Sequence, residues 1–118
     1  MSPNKQLIEA YLASKDPSKV APMLTDDAES VEWHDGVPAA GVRTQGKAAL
    51  LQNVGGADYQ TEITRMVEEN NVVVVEGTAR GAKEDGGSWT LRFCDIFEVD
   101  NGRVKRVTMY HAVPSDPA

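Results

Sequence analysis

The stretch from Trp89 to Val99 places one carboxyl group in unusual company. Taken every second residue, it reads Trp89, Leu91, Phe93, Asp95, Phe97 and Val99. Alternate side chains of an extended strand share a face, so Asp95 sits in a row of large apolar groups. An ionised carboxylate in such a setting loses its hydration at a cost of several kcal/mol. Its pKa rises, and a carboxyl that keeps its proton near neutral pH can donate a hydrogen bond to an oxyanion. Two other arrangements fit the same spacing. Asp95 could pair with Arg65 or Arg80 from a neighbouring strand, or a β-bulge could turn it to solvent.

Glu32 and His34 form the second cluster of interest. They share one face of a short strand, opposite Val31 and Trp33. If the Val31 and Trp33 face is the core, Glu32 and His34 meet solvent or a subunit contact. If a pocket lies on the other side, they form an acid/base pair at its mouth, where an imidazole is a natural general base. Tyr11 lies on an apolar helical stripe with Leu7, Ile8 and Leu12. Such tyrosines commonly pack in a core with a satisfied hydroxyl. His111 shares a face with Val107 and Met109 and reads as a packed core or interface histidine. Cys94 falls on the face opposite Asp95, has no base in view, and is assigned no nucleophilic role.

Metal and cofactor chemistry find little support. Glu32, His34 and Asp35 lack a recognised ligand spacing, so no metal is expected. There is no Gly-x-Ser-x-Gly elbow, phosphate-binding loop or dinucleotide fingerprint, and no cofactor is expected. Charge narrows the partners further. With 18 acidic and 12 basic residues the chain carries a formal charge of −6. Nucleic-acid binding needs a basic face, which this composition does not provide. The single cysteine excludes an intramolecular disulfide. The polar opening lacks the apolar stretch of a signal peptide, and no apolar run is long enough to cross a bilayer. The expected location is therefore cytoplasmic.

The elements that must position these residues follow from local signals. At 118 residues and 41% apolar content, residues 1–118 are expected to form a single domain. Ser2-Pro3 and Asp16-Pro17 both start helices, each with a capping side chain followed by proline. The second helix is short, with Val20, Met23 and Leu24 on its apolar side and Pro22 disturbing it. A strand is predicted over Glu29 to His34, and a long loop from Asp35 to Gly46. Lys47 to Val54 reads as a helix stopped by Gly55-Gly56. Strands follow at Thr61 to Glu68, Val72 to Arg80, Trp89 to Val99 and Arg103 to Val113. Asn70-Asn71 and Asn101-Gly102 mark tight turns, and Pro114 to Ala118 is expected to fray. Helices followed by a strand meander imply an α+β domain with helices on one face of an antiparallel sheet.

Three stretches give the chain a family likeness. They are Leu24 to Ala28 leading into Val31 to His34, Gly41 to Leu50, and Asp95 to Val104. Their order and spacing resemble the nuclear transport factor 2-like superfamily, which includes ketosteroid isomerases and SnoaL-like polyketide cyclases. The resemblance implies a cone-shaped fold, in which N-terminal helices and a curved antiparallel sheet enclose a pocket. It also implies a homodimer formed through the sheet. In ketosteroid isomerases a tyrosine on the first helix and a protonated aspartate on the penultimate strand hold the enolate oxygen. Tyr11 and Asp95 match those two positions. Glu32 falls at the proton-moving carboxylate in an ungapped comparison from Asp26-Asp27-Ala28, whereas aligning Val31-Glu32 places Trp33 there.

The expected function is a cofactor-free pocket for an apolar small molecule, with isomerase- or cyclase-type acid/base chemistry on a carbonyl compound. Asp95, Tyr11, Glu32 and His34 are the candidate catalytic residues. Trp33, Trp89, Phe93 and Phe97 are the candidate pocket lining. The alternative is a non-catalytic ligand-binding or dimerisation module of the same fold.

Overall fold

A computed structural model describes residues 2–55 and 59–113. Helix α1 (Pro3–Ala13) begins as its first residues dictate. The Ser2 side chain accepts from the Lys5 backbone N–H, and Pro3 occupies the first helical turn. The Ser2 hydroxyl also bonds the Glu68 carboxylate, and the Asn4 amide donates to the other Glu68 oxygen at 3.0 Å. These contacts tie the start of α1 to the sheet and aim Ile8 into the core. Asp16 caps α2 (Pro17–Val20) in the same manner. Pro22 then closes a 3₁₀ turn (Ala21–Met23), so Leu24 opens a strand and does not extend the helix.

The first strand, β1 (Leu24–Trp33), is longer than its alternation alone predicts. The loop predicted from Asp35 to Gly46 contains a strand, β2 (Val42–Gln45), which pairs antiparallel with residues 29–32 of β1. Glycines and prolines dominate that region and hide a four-residue edge strand from any periodicity argument. Helix α3 (Lys47–Leu51) is shorter than the predicted Lys47 to Val54. Strands β3 (Tyr59–Glu69), β4 (Val72–Ala82), β5 (Ser88–Asp100) and β6 (Arg103–Ala112) complete the sheet. Gly56 and the segment 114–118, expected to stop a helix and to fray, lie outside the described residues.

The six strands run in the order β2-β1-β6-β5-β4-β3. All neighbours are antiparallel except β1 and β6, which are parallel. The inner face carries the core, where Leu24, Ala28, Val73, Val75, Phe97, Val99, Val104 and Val107 are buried together with Ile8 and Val20 of the helices. This is the predicted α+β arrangement, with helices on one side of a mostly antiparallel sheet.

Small residues on β4 shape the inner face. Gly77 and Gly81 lie opposite Phe93 and Trp89. A Cβ at Gly77 would meet the Phe93 ring at 2.7 Å, and one at Gly81 would meet the Trp89 indole at 2.4 Å. The two aromatic rings therefore lie down over β4, and larger side chains there would push them up into the space above the sheet. Beside Gly77, β3 changes register between Ile63 and Arg65. A bulge of this kind adds a residue and bends the strand. It turns Thr61 and Ile63 inward while Arg65 faces out to bond Glu76 at 3.0 Å.

Candidate active site

Between the inner sheet face and the helices lies a cavity of about 650 Å³. Its floor is apolar, from Leu91, Phe93, Phe97, Val107 and Met109, with Val20, Leu50 and Val54 above. Exposed Lys15, Asn53, Gly55 and Tyr59 lie along its rim on one side, and exposed Val42 of β2 on the other. The Lys15 ammonium stands 4.6 Å from the Tyr59 ring centroid, and the Tyr59 ring leans on Trp89 at 6.2 Å. The Lys15 ammonium also donates to the Tyr59 backbone carbonyl.

Asp95 stands in the wall of this cavity with 7% of its surface exposed. The strand ladder is regular on both sides of it, with Val75 and Met109 as register partners, so no bulge turns it outward. Arg65 is engaged with Glu76 on the other face of the sheet. The Asp95 Oδ1 atom is buried without a hydrogen-bond partner. Burial, and secondarily the nearby charge of Glu32, push the Asp95 pKa up to about 7. Near neutral pH the carboxyl therefore holds its proton far more readily than a solvated aspartate does.

Tyr11 reaches the same cavity from α1 and meets Phe97 edge-on at a centroid distance of 5.5 Å. Desolvation, then the Asp95 and Tyr59 charges, raise its pKa to about 12. Its hydroxyl stays protonated across the physiological range and is a donor. Tyr11 and Asp95 thus present two O–H groups to one apolar space.

Glu32 also lines the cavity, because Ser30 and Glu32 point inward from β1 while Val31 and Trp33 point outward. The turn after β1 covers that outer side. A Cβ at Gly41, for example, would lie 2.9 Å from the Val31 side chain. This is why Val31 is buried although it faces away from the main core. Trp33 sits beneath the same turn and borders a shallow depression on the outer sheet face. It does not line the cavity, unlike Trp89, Phe93 and Phe97. His34 lies past the end of β1, half-exposed beside the same depression, with its Nε2 3.6 Å from a Glu32 oxygen.

His111 is the residue that sequence reasoning set aside. Its ring lies between two carboxylates, with Nδ1 3.5 Å from Glu32 Oε1 and Nε2 3.8 Å from Asp95 Oδ1. Burial lowers its pKa, and His34 acts the same way; Glu32 opposes both. The available signal was its face on β6. His111 alternates with Val107 and Met109, and all three line the cavity. The Asn101-Gly102 turn seats β6 beside β5, but nothing in one sequence says that β1 pairs with the other edge of β6 and brings Glu32 to His111. Cys94 faces the outer depression, where burial raises its thiol pKa, which suits an unreactive thiol. Among the described residues no cluster of His, Cys, Asp or Glu is arranged to hold a metal.

A sequence profile described as the SnoaL-like domain matches residues 5–107. The chain belongs to the SnoaL-like domain family. Solved structures agree on the fold. An NTF2-like protein of unknown function from Burkholderia pseudomallei K96243 superposes with a TM-score of 0.75 at 23% identity, over 92% of this chain and 90% of that one. A hypothetical protein with a ketosteroid isomerase-like fold from Catenulispora acidiphila, in complex with trimethylamine, gives a TM-score of 0.75 at 12% identity, over 91% and 85%. An LEH-like epoxide hydrolase from M. tuberculosis gives 0.72 at 24% identity, over 92% and 82%. No curated protein is similar to the chain in sequence. The SnoaL-like domain here thus has the NTF2-like α+β fold, shared by proteins of different activities. No helix of the described residues is long and apolar enough to cross a membrane.

Proposed function

We propose that this SnoaL-like domain binds an apolar carbonyl compound and moves a proton on it, in isomerase- or cyclase-type chemistry without a cofactor. The observation that carries the reading is the buried Asp95 carboxyl, orphaned at Oδ1 in the wall of an apolar cavity and titrating at about 7. Such a group is costly to keep unless it donates to a ligand oxygen. Tyr11 is the second donor. Both are placed to stabilise an enolate oxygen, the kind of developing charge that preorganised donors stabilise most. Glu32, the cavity-lining carboxylate of β1, takes the proton from carbon. An inward Glu32 favours this reading over a purely ligand-binding module, which needs no base.

A β,γ-unsaturated bicyclic ketone is a suitable probe, since its conversion to the conjugated isomer is followed by ultraviolet absorbance. Glu32→Gln is expected to lower its turnover by about 10²–10⁴-fold, the usual contribution of a positioned base. Wild-type turnover in the Glu32→Gln variant would exclude Glu32 as the base. A chain that binds the ketone without converting it would instead be the binding module.

The homodimer fits the outer face of the sheet. Val67, Val74 and Ile96 stand in one register row across β3, β4 and β5, and Val67 is 51% exposed. In this reading a second copy covers the row. Sedimentation velocity should show a dimer for the native chain and a monomer for Val74→Lys. A monomeric native chain would remove this part of the proposal.

A further inference from the structure

Beyond the cavity, and resting on the acid/base reading above, four titratable side chains run in a line from Asp95 to the end of β1. Asp95 Oδ1 is 3.8 Å from His111 Nε2. The other nitrogen of that ring, Nδ1, is 3.5 Å from Glu32 Oε1. The second carboxylate oxygen, Glu32 Oε2, is 3.6 Å from His34 Nε2. Each middle residue therefore faces its two neighbours through different atoms. The inner end is buried, and the outer end is half-exposed. His34 is not part of the cavity wall, whereas His111 borders both the cavity and the outer depression.

We propose that Asp95, His111, Glu32 and His34 form a proton path linking the buried acid to solvent at the end of β1, so that the acid can exchange its proton while an apolar ligand fills the cavity. A ligand that fills the cavity displaces the water beside Asp95 in its wall. An Asp95 that has ionised then has to regain its donor proton by another route.

The chemistry balances along the line. The Asp95 O–H proton moves to His111 Nε2 as the Nδ1 proton moves to Glu32 Oε1. This occurs while Glu32 is a free carboxylate, before it takes a proton from carbon. Once protonated by His111, the Glu32 carboxyl rotates and passes its proton to His34 Nε2, which releases a proton to water. Asp95 is left as a carboxylate, Glu32 regains its charge, and His111 holds its proton on the other nitrogen. The reverse sequence reprotonates Asp95 and restores the first tautomer. The burial that lowers the His111 pKa keeps its ring neutral, as a relay that accepts and donates requires. Separations of 3.5–3.8 Å tighten to hydrogen bonds by side-chain rotation, as acid/base contacts commonly do when a ligand binds. Other titratable groups face the line. Tyr11 of α1 and Tyr59 of β3 lie on the cavity side. Glu76 of β4, Arg92 and Cys94 of β5 and Tyr110 of β6 lie on the outer side.

Two measurements test the path. In the ligand-free chain, ¹⁵N NMR of the histidine rings should show the His111 midpoint falling in Glu32→Gln, because the carboxylate beside it is lost. The His111 tautomer balance should shift in Asp95→Asn. A ring that responds to neither variant overturns the path. In D₂O with the bicyclic ketone at saturation, the wild-type product should carry solvent deuterium. His34→Gln should lower the deuterium fraction per product several-fold, because Glu32, which returns the proton to carbon, exchanges with solvent through His34. This reads the outer leg of the path, and the NMR responses read the inner one. An unchanged fraction overturns the path. If the ketone is not converted while both NMR responses appear, the path stands and the isomerase reading fails for that ketone.

Discussion

Asp95→Ala is expected to lower turnover of the β,γ-unsaturated ketone by about 10²–10³-fold, the usual loss when one oxyanion donor is removed. Tyr11→Phe, which deletes only a hydroxyl, should lose a comparable factor for the same reason. Asp95→Asn is the informative partner. Its amide still donates a hydrogen bond, so it should keep much more activity than Asp95→Ala. If Asp95 instead acted as an ionised base, Asn would be as damaging as Ala. The pH profile has a definite sign. The donor is the protonated carboxyl, so turnover should fall as pH rises through about 7, where Asp95 ionises. That upper limb should vanish in Asp95→Asn. Steady-state rates across the neutral range decide the matter, and an upper limb that survives the substitution would assign the titration to another group.

The same side chain should govern how stability depends on pH. The folded-state pKa of Asp95 is raised from 3.8 to about 7, so the native state binds its proton more tightly than the unfolded chain does. The contribution is fully present below the unfolded value and is lost as pH rises through the folded value. The window therefore runs from about pH 4 to about pH 8. A rise from 3.8 to about 7, at 1.36 kcal/mol per unit, corresponds to about 4 kcal/mol of native stability. The Asp95→Asn variant lacks this titration. Urea unfolding of both proteins should therefore show wild type losing about 4 kcal/mol relative to Asp95→Asn between acid and alkaline ends of that window. A constant difference would mean that the carboxyl is hydrated in the native state. The trade is the expected one for a site that holds an unsatisfied acid in an apolar wall.

Much of this architecture was legible in the linear chain, for local reasons. Ser2-Pro3 and Asp16-Pro17 start helices because a capping side chain and a fixed proline φ act within one turn. Asn101-Gly102 makes a tight hairpin because both residues adopt positive φ, at 50° and 78°. The two-residue period of β5 put Asp95 among aromatic neighbours, since alternation is a property of one strand alone. The strand β2 escaped notice because four residues among glycines and prolines carry no period.

The site itself divides along the same line. One strand's pattern was enough to mark Asp95, and one helix's stripe to mark Tyr11. Which face of β1 meets the cavity was not decidable there, because both faces are buried in part, one by the cavity wall and one by the turn near Gly41. Trp33 was placed with the lining on apolar character, yet it packs outward under that turn. His111 looked like packing until β6 was seated between β1 and β5, which brings it between Glu32 and Asp95. Short-range periodicity tells what each residue could do alone. Sheet order, which joins segments about 80 residues apart such as Glu32 and His111, decides which of them can act together.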